Sequence, residues 1–416
     1  MKEKKLAKIF YADLWGLRDE KYDYLLKNDV RTTNWQELKP IEPYYFFVPK
    51  DFALQEEYGQ FWKITEIFKK WSSGVTTHRD YFVVGFTKEE IIQRLRIFTG
   101  DLPDDFVKEA LKLKDTGTWK LNEARKKIKI KGHEDDIFNY NYRPFDIRFI
   151  CYEPILIDRP RLTFMDNLKS ENMALLCMRE VVIESGFSHI FISNKITDRR
   201  IFLSNRGAPY LFPLYLYIHK QKGQIFSKNV TKQECAINLK DELIYVLNKS
   251  LSTEPPPEQI FYYIYAVLYS PTYRKRYEEF LKIDFPRIPL PKNYKSFKSL
   301  SSLGQELVDL HLLRHPSLAE TEIGFPESGS NIVDRIRYDE KAKRVYINRA
   351  QYFEGVSSEV WKYRIGAYQV LHKYLKDRKG RKLSLDEINH YMKVAKAIRL
   401  TIEIQDRIDK VYKKIF

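Results

Sequence analysis

Five short apolar runs between residues 145 and 218 constrain this chain more than any other feature. FDIRFICYEPILI, NMALLCMR, SHIFIS, RRIFLS and PYLFPLYLYI are separated by Arg, Asn, Asp, Gly and Pro. Short β-branched and aromatic stretches joined by polar turns read as strands of a compact antiparallel or mixed sheet. The turns carry Asp158-Arg159-Pro160-Arg161, Thr197-Asp198-Arg199-Arg200 and Asn205-Arg206-Gly207. The longest apolar stretches, Ala208–Ile218 and Ile260–Tyr269, fall short of the ~18–20 residues that a membrane span needs.

Helical periodicity flanks this region. Ile91, Ile92, Leu95 and Phe98 predict a helix over 88–99, after two strand-like runs at Tyr44–Asp51 and Asp80–Phe86. Beyond Pro255-Pro256-Pro257 the pattern predicts helices over 260–269, ended at Pro271, and over 273–281, with FPRIPLP extended behind them. Further helices are expected over 302–313 and 357–376, with a strand–turn–strand at 331–348 between them. Ser384-Leu385-Asp386-Glu387 is a capping-box start for a long last helix. The expected fold is α+β: a linker region over 1–125, a β-rich domain over 126–290, and a mostly helical region over 291–416, with no complete Rossmann-like domain. At 416 residues the core needs no disulfide or metal to staple it.

The charge is lopsided, with 72 Lys and Arg against 56 Asp and Glu, a net of +16. Such an excess favours a polyanionic partner, because each neutralised phosphate releases condensed counterions; A/T-rich coding, which enriches Lys, Ile, Tyr and Phe, is the bland alternative. Three scattered cysteines and no secretory leader point to a reduced, cytoplasmic protein without zinc-type spacing.

The chemical motifs are mostly missing. No GxG, no GxxxxGK[ST] and no [DN]PP[YF] occurs, so no catalytic residue, metal or cofactor site is assigned. His311 and His315 share a helical spacing but lack the Glu of a metalloprotease and read as structural. Asp104, Asp105 and Lys108 are loosely similar to a nuclease carboxylate–lysine set, which leaves a nuclease, or a basic nucleic-acid-binding protein acting on its own, as the alternative function. The basic constellations carry more weight. Arg125, Lys126 and Lys127 open a run of five cations in seven positions, and Arg378, Lys379 and Arg381 belong to six cations in the eleven residues His372–Lys382. Both are read as phosphate contacts, with a solvated linker and a helix-end charge as the respective alternatives. Arg159, Arg161, Arg199, Arg200, Asn205 and Arg206 sit at turns, where Arg can bind guanine and Asn adenine in the major groove.

KIFYADLWGLRDEKYDYLLKNDV, YYFFVPKD, THRDYFVV, YRPFDIRFICYEP, ITDRRIFLSNRG, YLFPLYLY, FYYIYAVLYSPTYRKRYEEFLKIDFPRIPLP, RVYINRAQYFEGV and LKDRKGRKLSLDEINHY together resemble one family. It is the carboxy-terminal specificity, or target recognition, region of the type ISP single-chain restriction–modification enzymes, which contain an adenine-specific DNA methyltransferase. The resemblance implies double-stranded DNA as partner. It also implies that S-adenosylmethionine belongs to a methyltransferase core absent here, carried by a missing domain or a separate subunit, without which the chain is inactive.

Overall fold

A computed structural model describes residues 7–42, 44–128, 136–181, 186–203, 207–217 and 235–416. They form two compact units, residues 1–58 and 59–416. The boundaries read at residues 125 and 290 both fall inside the second unit. In the first, Ile9–Tyr11 pairs antiparallel with Gln36–Leu38, and the Arg18–Lys27 helix buries none of its residues. No strand forms over Tyr44–Asp51, contrary to expectation, and Pro49 withholds a ladder donor there.

The second unit is α+β and is built on two four-stranded sheets. One runs Ile196–Thr197, Ile137–Arg143, Asp146–Cys151, Val84–Gly85. Its first pairing is parallel and the others antiparallel. The second runs Ser72–Ser73, Pro209–Pro213, Ala174–Met178, Ile190–Ser193, antiparallel throughout, with Leu211 opposite Leu176 and Leu176 opposite Phe191. Three of the five apolar runs thus supply neighbouring strands of this second sheet. RRIFLS departs from the strand reading: Ile201 and Leu203 close turns onto the Asp198 and Arg200 carbonyls.

The helices follow local chemistry. Lys88–Thr99 starts at the Thr87 hydroxyl, which accepts from the Glu90 amide, and buries Ile91, Leu95 and Phe98 along one stripe. Pro257–Tyr269 is buried from Ile260 onward on every side. It packs on Tyr294–His311 and on the 31-residue helix Leu385–Ile415. Ser384 caps that helix with the reciprocal Glu387 contact expected of a capping box. Asp409, near its far end, accepts from the Ser270 and Thr272 hydroxyls and the Thr272 amide, and so anchors the break at Pro271.

The single helix expected over 357–376 is instead two, Ser358–Lys362 and Val370–Lys376, separated by a small ladder. Gly366 causes the break. Its φ is +61°, and a Cβ there would lie 2.8 Å from Phe202 Cβ, so only glycine takes this place cheaply. The 331–348 hairpin forms as Arg337–Asp339 against Arg344–Tyr346, and a third strand, Tyr352–Glu354, extends it.

His311 lies in the core among Phe145, Phe191, Tyr265 and Tyr269. The Thr401 hydroxyl donates to the Ala397 carbonyl, so its oxygen accepts from His311 Nε2 at 3.0 Å. Nδ1 is then left to accept from the Tyr265 hydroxyl at 2.7 Å. The ring is thus satisfied as a neutral tautomer. Burial pushes His311 down to about 3 and the second buried imidazole, His189, down to about 4. An unfolded chain takes up these protons near pH 6.5. The stability they contribute is therefore complete above about pH 6.5 and lost as the pH falls toward 4, at about 1.4 kcal/mol per pH unit for each. Urea midpoints should fall steadily between pH 6.5 and 4.5, and His189→Leu should shallow that fall; a wild-type midpoint constant over this range would contradict the assignment.

Candidate functional site

The segment Gly74–Thr77, buried except for the half-buried Thr76, gathers the arginine-bearing turns. The Val75 amide donates to the Thr197 carbonyl at 2.8 Å, and the Arg199 amide donates to the Val75 carbonyl at 2.9 Å. Thr76 and Arg159 exchange amide–carbonyl bonds of 3.1 and 2.9 Å. Gly74 permits the approach, since a Cβ at that position would lie 2.7 Å from the Asp198 carbonyl and the Arg199 nitrogen. Two turns more than thirty residues apart in sequence are thereby sewn to one extended segment.

Beside this seam lies a cleft of about 620 Å³ whose wall includes Thr76, His78, Tyr142, Arg143, Arg199 and Arg200. Arg143 and Asp198 form its buried floor, with a 2.9 Å ion pair. Asp198 also accepts from the Tyr140 hydroxyl at 2.6 Å and the Arg200 amide at 2.6 Å. Burial pushes the Asp198 carboxyl up, and Arg143 and Tyr140 act against it. The Tyr142 ring lies between the Arg143 and Arg148 guanidiniums, 3.8 and 3.9 Å from its centroid. Its hydroxyl reaches Asp80 at 3.2 Å, and burial pushes the phenol up to about 12, so it stays a donor at neutral pH. Asp80 accepts from the Thr77 hydroxyl as well. A rigid, internally neutralised floor thus holds an exposed rim. Arg200 and His78 are exposed and Arg199 half-buried, while the Thr76 hydroxyl is buried with no hydrogen-bond partner among the described residues.

Arg199 and Arg200 therefore share the cleft wall, while Arg159 joins the seam through its backbone and does not line the cleft. Arg159 is exposed and weakly tied to Asp158 at 3.4 Å. Arg161 is exposed and takes a left-handed backbone, its carbonyl starting the short Leu162–Met165 helix, and it does not line the cleft. Asn205 and Arg206 lie outside the described residues, as do the later cations of the 125–131 run.

The two basic runs are corrected in part. Arg125 is buried: its Nε donates to the Phe98 carbonyl at 2.8 Å, and its two terminal nitrogens meet Asp104 and the Gly100 carbonyl. It closes the carbonyl end of the Lys88–Thr99 helix, whose last acceptors need donors, instead of facing an outer phosphate. Arg378 is 3% exposed and pairs with Asp146 and Glu387, each at 2.9 Å, while its plane lies over the Tyr374 ring. Burial disfavours its charge, but Asp146 more than offsets that and raises its basicity. Arg381 is half-buried and held by Glu90 at 2.8 Å. Lys126, Lys127 and Lys379 are exposed and remain available.

The nuclease-like set is also tied down, Asp104 by Arg125 and Lys108 by Asp115 at 3.1 Å. Among the described residues no group of His, Cys, Asp and Glu could hold a metal ion, and no helix is long and apolar enough to cross a membrane. Sequence reasoning named Arg199 and Arg200 but missed Arg143 on the same cleft wall and the segment that assembles the turns. Gly74 between Ser73 and Val75 was the available signal, a glycine inside a β-like stretch where another backbone comes close.

The second unit thus combines an α+β fold with arginine-bearing turns beside one cleft. The chain belongs to the Type ISP C-terminal specificity domain family, whose model matches residues 66–407. No curated protein matches it. Among solved structures it is similar to a nuclease-deletion mutant of the Type ISP restriction-modification enzyme LlaGI in complex with a DNA substrate mimic. The TM-score is 0.68 at 18% identity, covering 97% of this chain and 33% of that one. It is also similar to DrdV in a DNA complex, with a TM-score of 0.74 at 18% identity over 96% of this chain and 43% of that one. For the ATP-dependent Type ISP restriction-modification enzyme LlaBIII bound to DNA, the values are 0.66 and 18%, over 90% and 25%. The chain thus spans less than half the length of each of these three proteins.

Removing Arg378 leaves Asp146 buried with one partner fewer, so Arg378→Ala should cost about 3–5 kcal/mol. Lys379→Ala, one residue on, should stay within about 0.5 kcal/mol of the parent chain. Urea denaturation of both variants checks the contrast, and equal stabilities would contradict it.

Proposed function

We propose that this chain is the DNA target-recognition part of an adenine-specific restriction–modification methyltransferase, acting in the cytoplasm on double-stranded DNA. The observation that carries the reading is the pairing of the Arg159 and Arg199 backbones with the seam at Val75 and Thr76, beside a cleft lined by Arg199 and Arg200. Bases are read where rigid elements present a few donors at fixed spacing, and bidentate Arg contacts to guanine are the commonest specific ones. Lys126, Lys127 and Lys379, exposed around the same unit, suit sequence-independent phosphate contact.

In this reading S-adenosylmethionine and the methyl transfer belong to a methyltransferase core elsewhere, in another part of the protein or a partner subunit. The strand directions of the described sheets support this reading. Apart from the pairing of Ile196–Thr197 with Ile137–Arg143 their strands run antiparallel, whereas such cofactors bind at the carboxyl ends of parallel strands. Trp15, Leu17, Leu26 and Val30 of the first unit are strongly exposed, which supports a covering partner or domain for that unit. Extruding an adenine costs a few kcal/mol of unstacking, and the recognition part would supply binding energy and register for it.

Selection from a randomised duplex pool should enrich a short motif. On that motif Arg199→Ala or Arg200→Ala should lose about 1–3 kcal/mol of binding, and little on scrambled duplex. Lys379→Ala should weaken binding to both alike. Equal losses on both duplexes for the cleft arginines would reduce them to backbone contacts.

A further inference from the structure

A second cleft of about 500 Å³ lies between the Phe187–Ser188 stretch, the start of the Pro271–Arg276 helix and the ladder around Arg364. Four cations, Arg274, Lys275, Lys362 and Arg364, line it against one acid, Glu278, and Glu278 already faces Lys282 at 3.7 Å. Elsewhere in the unit, arginines near such surfaces are matched by carboxylates: Arg148 and Arg378 by Asp146, Arg381 by Glu90. Here, among the described residues, no ion pair joins Arg274, Lys275 or Arg364 to an acid, and Lys362 meets only the exposed Glu340 at 3.6 Å.

Arg274 is the best-placed of the four. Its Nε donates to the Leu268 carbonyl at 2.6 Å and its plane lies 4.3 Å from the Tyr269 ring centroid, which fixes the guanidinium. A fixed guanidinium flanked by two exposed lysines and a second, exposed arginine suits a group with several acceptor oxygens and negative charge. The two clefts are also neighbours. Phe202 lines the first, and its carbonyl accepts from the Ala367 amide, three residues from Arg364. The Ser188 carbonyl in the second accepts from Gly366.

We infer that the cleft of Arg274, Lys275, Lys362 and Arg364 holds a phosphate of the DNA backbone beside the bases read at the first cleft. This rests on the proposed DNA-reading function. It moves the main phosphate-holding role from the 372–382 run, whose arginines pair internally, to a site scattered in sequence.

The test is the slope of log affinity against log salt for duplex binding by the full chain, in wild type and in Lys275→Glu/Arg364→Glu, which leaves the partly structural Arg274 intact. Each phosphate contact contributes about 0.9 to that slope. The double variant should therefore shallow it by about 1–2, equally on preferred and scrambled duplexes, with an unchanged melting temperature in buffer. The charge-matched reversal of Lys298 and Lys410, exposed and lining neither cleft, should change it less. A double variant with the wild-type slope, or no steeper loss than the control, would overturn the inference while wild-type duplex binding left the underlying reading intact. A wild type that binds no duplex would overturn both. Inorganic phosphate separates the sources: if it stabilises wild type but not the double variant while the slope stays unchanged, the cleft takes a free phosphorylated ligand and the backbone assignment fails.

Discussion

A carboxylate removed from water ionises only if cations surround it, and Asp146 is wholly buried. Arg148 holds it from its own strand at 2.7 Å, and Arg378 holds it from the carboxy-terminal region at 2.9 Å. The two guanidiniums keep the carboxyl below its usual range against the pull of burial. Arg148 continues to Asp377 and Arg378 to Glu387, the residue that also completes the cap of the last helix. Arg148, Arg378 and Arg381 crowd the Phe86 ring, 4.4, 4.8 and 4.1 Å from its centroid. One buried acid therefore locks the first sheet to the helical region. The same sheet carries Arg143 and Thr197, from which the arginine turn of the cleft departs.

This network changes the meaning of the net positive charge. A count of Lys and Arg treats every cation as available to a polyanion, yet the structure divides them. Those facing Asp146, Glu387 and Asp104 hold the fold together and are largely shielded from salt and solvent. Those at the rims of the two clefts have few acidic partners among the described residues, so an anionic ligand could meet them without first displacing a carboxylate. Specific binding needs both kinds, a rigid frame and cations left free at fixed positions.

The legible parts of the fold were those decided by neighbouring residues. The 88–99 helix, the Ser384 capping box and the 337–346 hairpin each follow from spacing, a cap or a turn. The parts misread depend on distant chemistry. Arg378 looked like a surface cation because its acid lies 232 positions away in sequence. Arg125 looked like one because its acceptors are helix-end carbonyls. The 357–376 helix breaks because Gly366 must lie against Phe202, a contact no periodicity records. In the site, turn arginines were readable as residue types, but their gathering on Val75 and Thr76 was not, since backbone pairing between segments so distant in sequence leaves little mark on composition.

The most direct measurement of the central claim is amide hydrogen exchange on the full chain, alone, with its selected duplex and with a scrambled one. The account predicts slowed exchange over residues 74–80 and 197–202 with the selected duplex only. Protection confined to other segments, with these two unchanged, would contradict it.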